Sequence, residues 1–254
     1  MAAFPVAASV QNERIKLRLV QGRAIVDCVY LNGQGPYRFL LDNGAQTNDL
    51  HIGVAAKMGL KAEFRTQLTT LSGAHWVPGG HLGQVKVGPA VANNQEFLFT
   101  SVAGPRELSG DTAGVLGQEF LSHFDYLLDF RYRRLDFAYT PNPDTGIKVR
   151  LLEGRMVMPT SLGDLVLDSG TDSLVLFRAP SGGSAQVLRT NAGSITVTDA
   201  GRTPLRVGGK QYWLASAVFA PAPSPGADGL LPARLFHAIY VSNSGGYVIP
   251  DPQK

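Results

Sequence analysis

The chain has 254 residues and a formal net charge of +3 at pH 7, with 44% hydrophobic and 17% charged residues. That apolar content excludes disorder and suits one large domain or two small ones, while 29 Gly and 16 Pro favour short strands and turns over long helices. The basic residues are scattered apart from RYRR at 131–134, no run of 18 apolar residues exists, and Cys28 is the single cysteine. A nucleic-acid face, a membrane span and an intrachain disulfide are therefore not expected.

In chain order, MAAFPVAASV (1–10) is weakly apolar and lacks the basic leader of a secretory signal. Residues 14–31 alternate apolar and polar in two strand-like runs around Gly22, with Cys28 read as a buried, inert thiol. NGQGPY (32–37) is a turn, and the strand after it runs into Asp42. Residues 53–60 have helix-forming composition with Gly59 as the stop, and 66–88 predict a long hairpin with a Gly-rich tip. GVLGQEFLSHF (114–124) opens as an apolar turn and continues as a short helix. Residues 126–139 form another hairpin with RYRR at its solvated turn, and TPNPDTG (140–146) is a linker.

Beyond that linker the pattern of the first half recurs. RMVMPTSLGDLVLDSG (155–170) parallels AIVDCVYLNGQGPYRFLLDNG (24–44): strand, turn, strand, then Asp-x-Gly. DGLLPARLFHAIY (228–240) parallels AGVLGQEFLSHFDY (113–126): Gly, two apolar residues, a turn residue, a short helix. Asp42 precedes Gly114 by 72 residues, and Asp168 precedes Gly229 by 61. Two related lobes, 1–143 and 144–254, are expected to face each other across a cleft. An Asp ending a buried strand loses hydration, which disfavours its charged form. Two such groups brought together share one proton and titrate jointly. One carboxylate then takes a proton from water while the other donates to a carbonyl oxygen, hydrolysing an amide. A single Asp-x-Gly would read as a turn; the duplication favours the paired site.

The set LLDNGA, GVLGQEFL, LVLDSGT and DGLLPARLF resembles the aspartic proteases, most closely the retroviral-type lobe of bacterial aspartyl proteases. The resemblance implies a mostly β fold of two related β-barrel-like lobes with a few short helices and a cleft between them. It implies an endopeptidase with Asp42 and Asp168 as the catalytic pair, supported by Asn43, Gly44, Ser169, Gly170 and Thr171. A β-hairpin flap over 71–80 would carry Gly73, His75 and Trp76 to a peptide or protein substrate, with Gly73, Gly79 and Gly80 as hinges. Trp76 packing under that hairpin is an equal alternative. No metal or cofactor is implied. Two copies in one chain imply a complete site in a monomer, and the family implies a periplasmic or secreted location. A hydroxyl at Thr171, absent at Ala45, is expected to donate to ionised Asp168 and leave the shared proton on Asp42. Three departures stand out: Asn43 replaces the family's Thr or Ser, which locks the lobes together; Pro232, with no N–H, replaces a Gly; and the second lobe is trimmed.

Other chemistries fit less of the chain. The five histidines (51, 75, 81, 123, 237) have no helical metal-site spacing, and GGHLGQ lacks the lysine of a nucleotide-binding loop. A serine hydrolase using Ser169 with His75 leaves DNGA and the duplicated turns unexplained. A catalytically inactive, protease-like peptide-binding module, impaired through Asn43, is the main alternative to the enzyme.

Overall fold

The computed structural model describes residues 14–101, 110–180, 182–190, 193–223 and 225–252. The apolar start at 1–10 and positions 191–192 of the second Gly-rich hairpin lie outside the described residues. β1 (Ile15–Val20) and β2 (Arg23–Leu31) are joined through Gln21 and Gly22, and β3 (Gln34–Leu41) follows through Asn32 and Gly33. All four turn residues have φ between 49° and 80°. Left-handed pairs of this kind match the twist of flanking strands and close tight hairpins. Cys28 is half-buried on β2.

Exposure falls along β3 from its solvated start to Phe39, Leu40 and Leu41, which are buried on both faces. The cause is a parallel neighbour: β8 (Thr112–Leu116) pairs with β3 at Leu40↔Val115 and Leu41↔Leu116. Parallel pairing between covered strands removes the alternation of a half-exposed one. β4 (Asn48–His51) runs antiparallel to β8, and α1 (Ile52–Lys57) follows, with the His51 ring accepting the Gly53 N–H at 3.0 Å. Gly59, at φ +71°, ends this helix as its sequence suggests. β5 (Phe64–Thr70), β6 (Gly73–Val87) and β7 (Ala90–Thr100) complete the half, and a β2–β6 pairing closes the strands into a barrel.

The β5–β6 hairpin turns at Leu71 and Ser72, at the start of the 71–80 stretch expected to form the flap. Gly79 and Gly80 lie within β6, where a Cβ on Gly79 would meet the Phe64 ring at 2.5 Å and one on Gly80 would meet Phe99 at 3.2 Å. They answer to aromatic packing beneath the hairpin, so the hinge expectation for them is corrected. α2 (Gln118–Leu121) follows β8, and β9 (Tyr126–Asp129) and β10 (Arg134–Asp136) form the expected hairpin. Its turn is solvated, with Arg131 and Arg134 over the Tyr132 ring at 5.5 and 5.7 Å.

The second half repeats the ladder. β11 (Ile147–Lys148) and β12 (Arg150–Leu152) lead into β13 (Arg155–Thr160) and β14 (Gly163–Asp168), then β15 (Leu174–Phe177), β16 (Ala185–Thr190), β17 (Gly193–Val207), β18 (Lys210–Ala220) and β19 (Gly229–Pro232). β14 pairs in parallel with β19, which lies antiparallel to β15, as β3, β8 and β4 do in the first half. The short helix expected after β19 is a single 3-10 turn, Ala233–Leu235. Finally β20 (Ala238–Ser242) and β21 (Tyr247–Pro250) return to the first sheet, β20 pairing with β9 and β21 with β11. The fold is thus mostly β, with two lobes and one continuous apolar core to which Leu41, Phe120, Met156 and Leu167 all belong.

Candidate active site

Asp42 leaves the end of β3 and Asp168 ends β14, and both are buried, at 5% and 8% exposure. The structure brings them close enough to hydrogen-bond to one another. Each is held by its own loop. Gly44 N–H and Ala45 N–H donate to Asp42 Oδ1 at 3.0 and 3.1 Å. Gly170 N–H and Thr171 N–H donate to Asp168 Oδ1 at 2.7 and 2.9 Å. Gly44 is required here, because a Cβ would meet Asp168 Oδ2 at 2.6 Å.

Burial raises the Asp168 pKa well above the usual carboxylate range, and the charge of Asp42 adds to it; the two backbone donors work against the rise. The pair titrates jointly, and the expected lean of the proton toward Asp42 loses the side-chain donor it was drawn from. The reason is visible at Thr171. Its hydroxyl donates to the Ser173 carbonyl and accepts the Ser173 N–H, both at 3.3 Å, and does not serve the carboxylate. Ala45 and Thr171 instead supply equivalent backbone donors, so the side-chain difference does not bias the pair.

The two loops are joined across the lobes. Asn43 N–H donates to Ser169 Oγ at 3.1 Å, Ser169 N–H donates to Asn43 Oδ1 at 2.8 Å, and Ser169 Oγ–H donates to the Leu41 carbonyl at 2.9 Å. Asn43 accepts as a hydroxyl residue would, so this departure from the family pattern preserves the joint. Among the described residues the Asn43 Nδ2 has no hydrogen-bond partner. It lies near the buried Tyr126 hydroxyl, whose pKa burial raises and Asn43 partly restores. Gln118 Nε2 donates to the Asn43 carbonyl at 3.1 Å from below. Ser169 Oγ is occupied in this joint, and His75 lies on exposed β6, so no nucleophile–base pair forms between them.

A further cross-lobe tie comes from Arg23, 1% exposed on β2. Its Nε donates to the Gly170 carbonyl and its Nη2 to the Arg189 carbonyl, each at 2.7 Å, with Asp172 at 3.8 Å. A guanidinium offers five donors in a planar fork, which suits bracing a loop of carbonyls. In the sequence Arg23 is only a charge at the head of the apolar run AIV, which carries no signal of a cross-lobe role.

The carboxyl pair lies in a cleft of about 520 Å³ lined from both lobes, a size that takes several side chains of a ligand. The flap contributes residues 66–71 of β5 and its tip. Gly73, His75 and Trp76 are not among the described lining residues, and Trp76 is 64% exposed, so it does not pack under the hairpin. Leu71, at the flap tip, packs against an apolar cluster of the other lobe that contains Val175, Val218, Phe177 and Leu230. Three further lining acids, Asp49 on β4, Glu96 on β7 and Glu153 in the turn after β12, went unnoticed in the sequence, where each reads as an ordinary polar position. Among the described residues no group of three His, Cys, Asp or Glu side chains is placed to hold a metal ion.

Two β lobes thus bring two strand-end aspartates together in one cleft. Residues 28–120, from β2 to α2, match the family described as Aspartyl protease. The match covers the first lobe, so that lobe is similar in sequence to the aspartyl proteases. No curated protein matches the chain. Among solved structures it is similar to a retropepsin-like aspartic protease from Rickettsia conorii, at 18% identity and a TM-score of 0.38, over 51% of this chain and 96% of that one. No helix among the described residues is long and apolar enough to cross a membrane.

Proposed function

We propose that the protein is an aspartic-type endopeptidase that hydrolyses peptide bonds with a water held between Asp42 and Asp168. The observation that carries this reading is the pair itself: two buried carboxyls, each fixed through one oxygen by two backbone N–H groups, close enough to share a proton at the junction of the lobes. In the forward step ionised Asp42 accepts a proton from the water as its oxygen attacks the carbonyl carbon. Asp168 donates its proton to the carbonyl oxygen, giving a neutral gem-diol. Collapse of that intermediate breaks the C–N bond. The amine nitrogen takes a proton from Asp42, and a gem-diol hydroxyl returns one to Asp168.

Asn43, Gly44, Ser169, Gly170 and Thr171 hold the pair in place in this reading, through their backbone and the cross-lobe joint. The inactive-module alternative draws on Asn43, and the three hydrogen bonds that join the loops at Asn43 and Ser169 support turnover instead. Segments 1–143 and 144–254 each bring one carboxylate, so a monomer carries a whole site. Catalysis uses no metal. The test is incubation with a peptide library from pH 3 to 8, with and without a pepstatin-type inhibitor and after dialysis against a strong chelator. Cleavage that the inhibitor stops and the chelator leaves alone is expected. Failure to cleave any peptide, or cleavage lost on chelation and restored by zinc, overturns the reading.

A further inference from the structure

The ladder of each lobe puts Asp49 and Val175 at the same place. Asp49 pairs with Val115 on β8 and Leu98 on β7. Val175 pairs with Leu230 on β19 and Val218 on β18. Each follows its active-site aspartate by seven residues. A Cβ on Gly114 would meet the Asp49 carbonyl at 1.9 Å, and one on Gly229 would meet the Val175 carbonyl at 2.0 Å. In the second lobe this position is an apolar core site, joined by Leu71 from the flap. In the first lobe it is a carboxyl that lines the cleft.

One oxygen of that carboxyl goes unmet. Asp49 Oδ1 is buried and has no hydrogen-bond partner among the described residues. Burial, with the charge of Asp42 behind it, pushes the group up to about 7. An unpartnered buried carboxyl is costly, and a strand wall of Leu98 and Val115 offers no compensation. The rest of the cleft points the same way. Its described lining carries five acids, Asp42, Asp49, Glu96, Glu153 and Asp168, against one base, Arg155. Arg155 is already paired with Glu153 at 2.9 Å. This negative cleft belongs to a chain of net charge +3, so it does not reflect bulk composition.

We propose that Asp49 is the floor of a substrate subsite that selects a lysine or arginine side chain, while the facing lobe, with Phe177 and Leu230, takes an apolar one. The proposal rests on the peptidase reading and gives it a substrate class. A cationic side chain laid along this wall places its methylenes on Leu98 and Val115 and its charged head against the Asp49 carboxyl. Glu96, two residues before Leu98 on β7, adds a second negative charge. The cation supplies the missing donor and favours the ionised carboxylate it meets.

Binding and cleavage together test this. Non-hydrolysable peptides with a central hydroxyl in place of the scissile carbonyl are made in pairs, lysine against norleucine, at each of the three positions on either side. Calorimetry on the full chain measures affinity, and the matching cleavable peptides measure kcat/KM. At one position the lysine peptide is expected to bind about 30-fold tighter than its norleucine partner. Asp49→Val, which installs the residue of the other lobe, is expected to reverse that preference. Asp49→Asn preserves shape, keeps the test alive should the valine variant not fold, and is expected to reduce the preference at least tenfold. Equal binding of lysine and norleucine at every position overturns the proposal, as does a lysine preference that survives both variants. Lysine-selective binding that depends on Asp49, without cleavage of any peptide, supports the subsite and defeats the peptidase reading. Cleavage with no lysine preference does the opposite.

Discussion

The two lobes carry the same hairpin in the same place, yet surround their aspartates differently. β6 and β17 each have 15 residues, and β7 and β18 each have 11. What the lobes share is the machinery that fixes a carboxylate: a parallel strand pair, an Asp at its end, and two backbone N–H donors from the following turn. They differ one shell further out, and the differences come in matched sets. Gly117 N–H donates to Asn48 Oδ1 at 3.1 Å in the first lobe. The corresponding positions in the second lobe are Pro232, which has no N–H, and Leu174, which has no acceptor. Donor and acceptor are absent together, so no buried group is left unmet, which is the near-neutral way to remove a hydrogen bond. Pro232 is therefore compatible with the strand it occupies. A departure read one residue at a time looks like damage; paired with its neighbour it is a second solution to the same local problem.

That comparison can be broken most severely at the feature the lobes share. Asp42→Asn and Asp168→Asn are each expected to lower kcat by about a thousandfold or more, and the double variant is expected to be scarcely worse, since the pair acts as a unit. Single-turnover rates on one peptide decide this, and substantial activity in either single variant would sink the pair. Next comes the joint, where the lobes use different residues for one task. Asn43→Ala removes the acceptor of the buried Ser169 N–H and is expected to destabilise the chain by about 1–3 kcal/mol, whereas Asn43→Thr keeps an oxygen there and is expected to retain most of that stability. Denaturant titration measures both; equal loss would mean that the amide oxygen plays no part in the joint.

The wall position gives a smaller effect with a definite sign. Asp49 has a native pKa raised to about 7, above the ordinary carboxylate value near 4. The native state therefore holds a proton that the unfolded chain gives up, and its stabilising influence is full below about pH 4 and lost as pH rises to 7. Asp49→Asn does not titrate, so it is expected to raise Tm by about 2–4 °C at pH 8 and hardly at all at pH 4. An identical shift at both pH values would show that the carboxyl is not held protonated. The smallest change is expected at Thr171→Ala. Its hydroxyl serves Ser173 and its backbone serves Asp168, so the pH–rate profile is expected to move by less than about 0.3 units. A larger displacement of the acidic limb would return the hydroxyl to the role first expected of it.

Much of this architecture is legible in the sequence because it is local. The Gln21-Gly22 and Asn32-Gly33 turns, the Gly59 helix stop, the apolar runs into Asp42 and Asp168, and the Gly-apolar-apolar repeats at 114 and 229 all rest on neighbours a few residues away. The rest depends on partners that only folding supplies. Gly79 and Gly80 look like hinges, but the Phe64 and Phe99 rings that pack on them come from other strands. Arg23 reaches a carbonyl 147 residues away. The fit of Asn43 hinges on a serine 126 positions along the chain. Thr171 fails as a carboxylate donor because Ser173, two residues on, engages its hydroxyl first, and nothing in the letters ranks those two acceptors.

The return of β20 and β21 to the first sheet has one more consequence. A cleft made by two identical chains has a twofold axis, so a peptide lying in it meets the same walls whichever way it runs, and every change of residue is written on both sides at once. Here both walls belong to a single polypeptide, stitched together by strands that cross from one half to the other. Position 49 can change while position 175 stays as it is. The cleft has a left and a right, and on the peptidase reading a peptide reversed end for end would lay its side chains on the wrong walls.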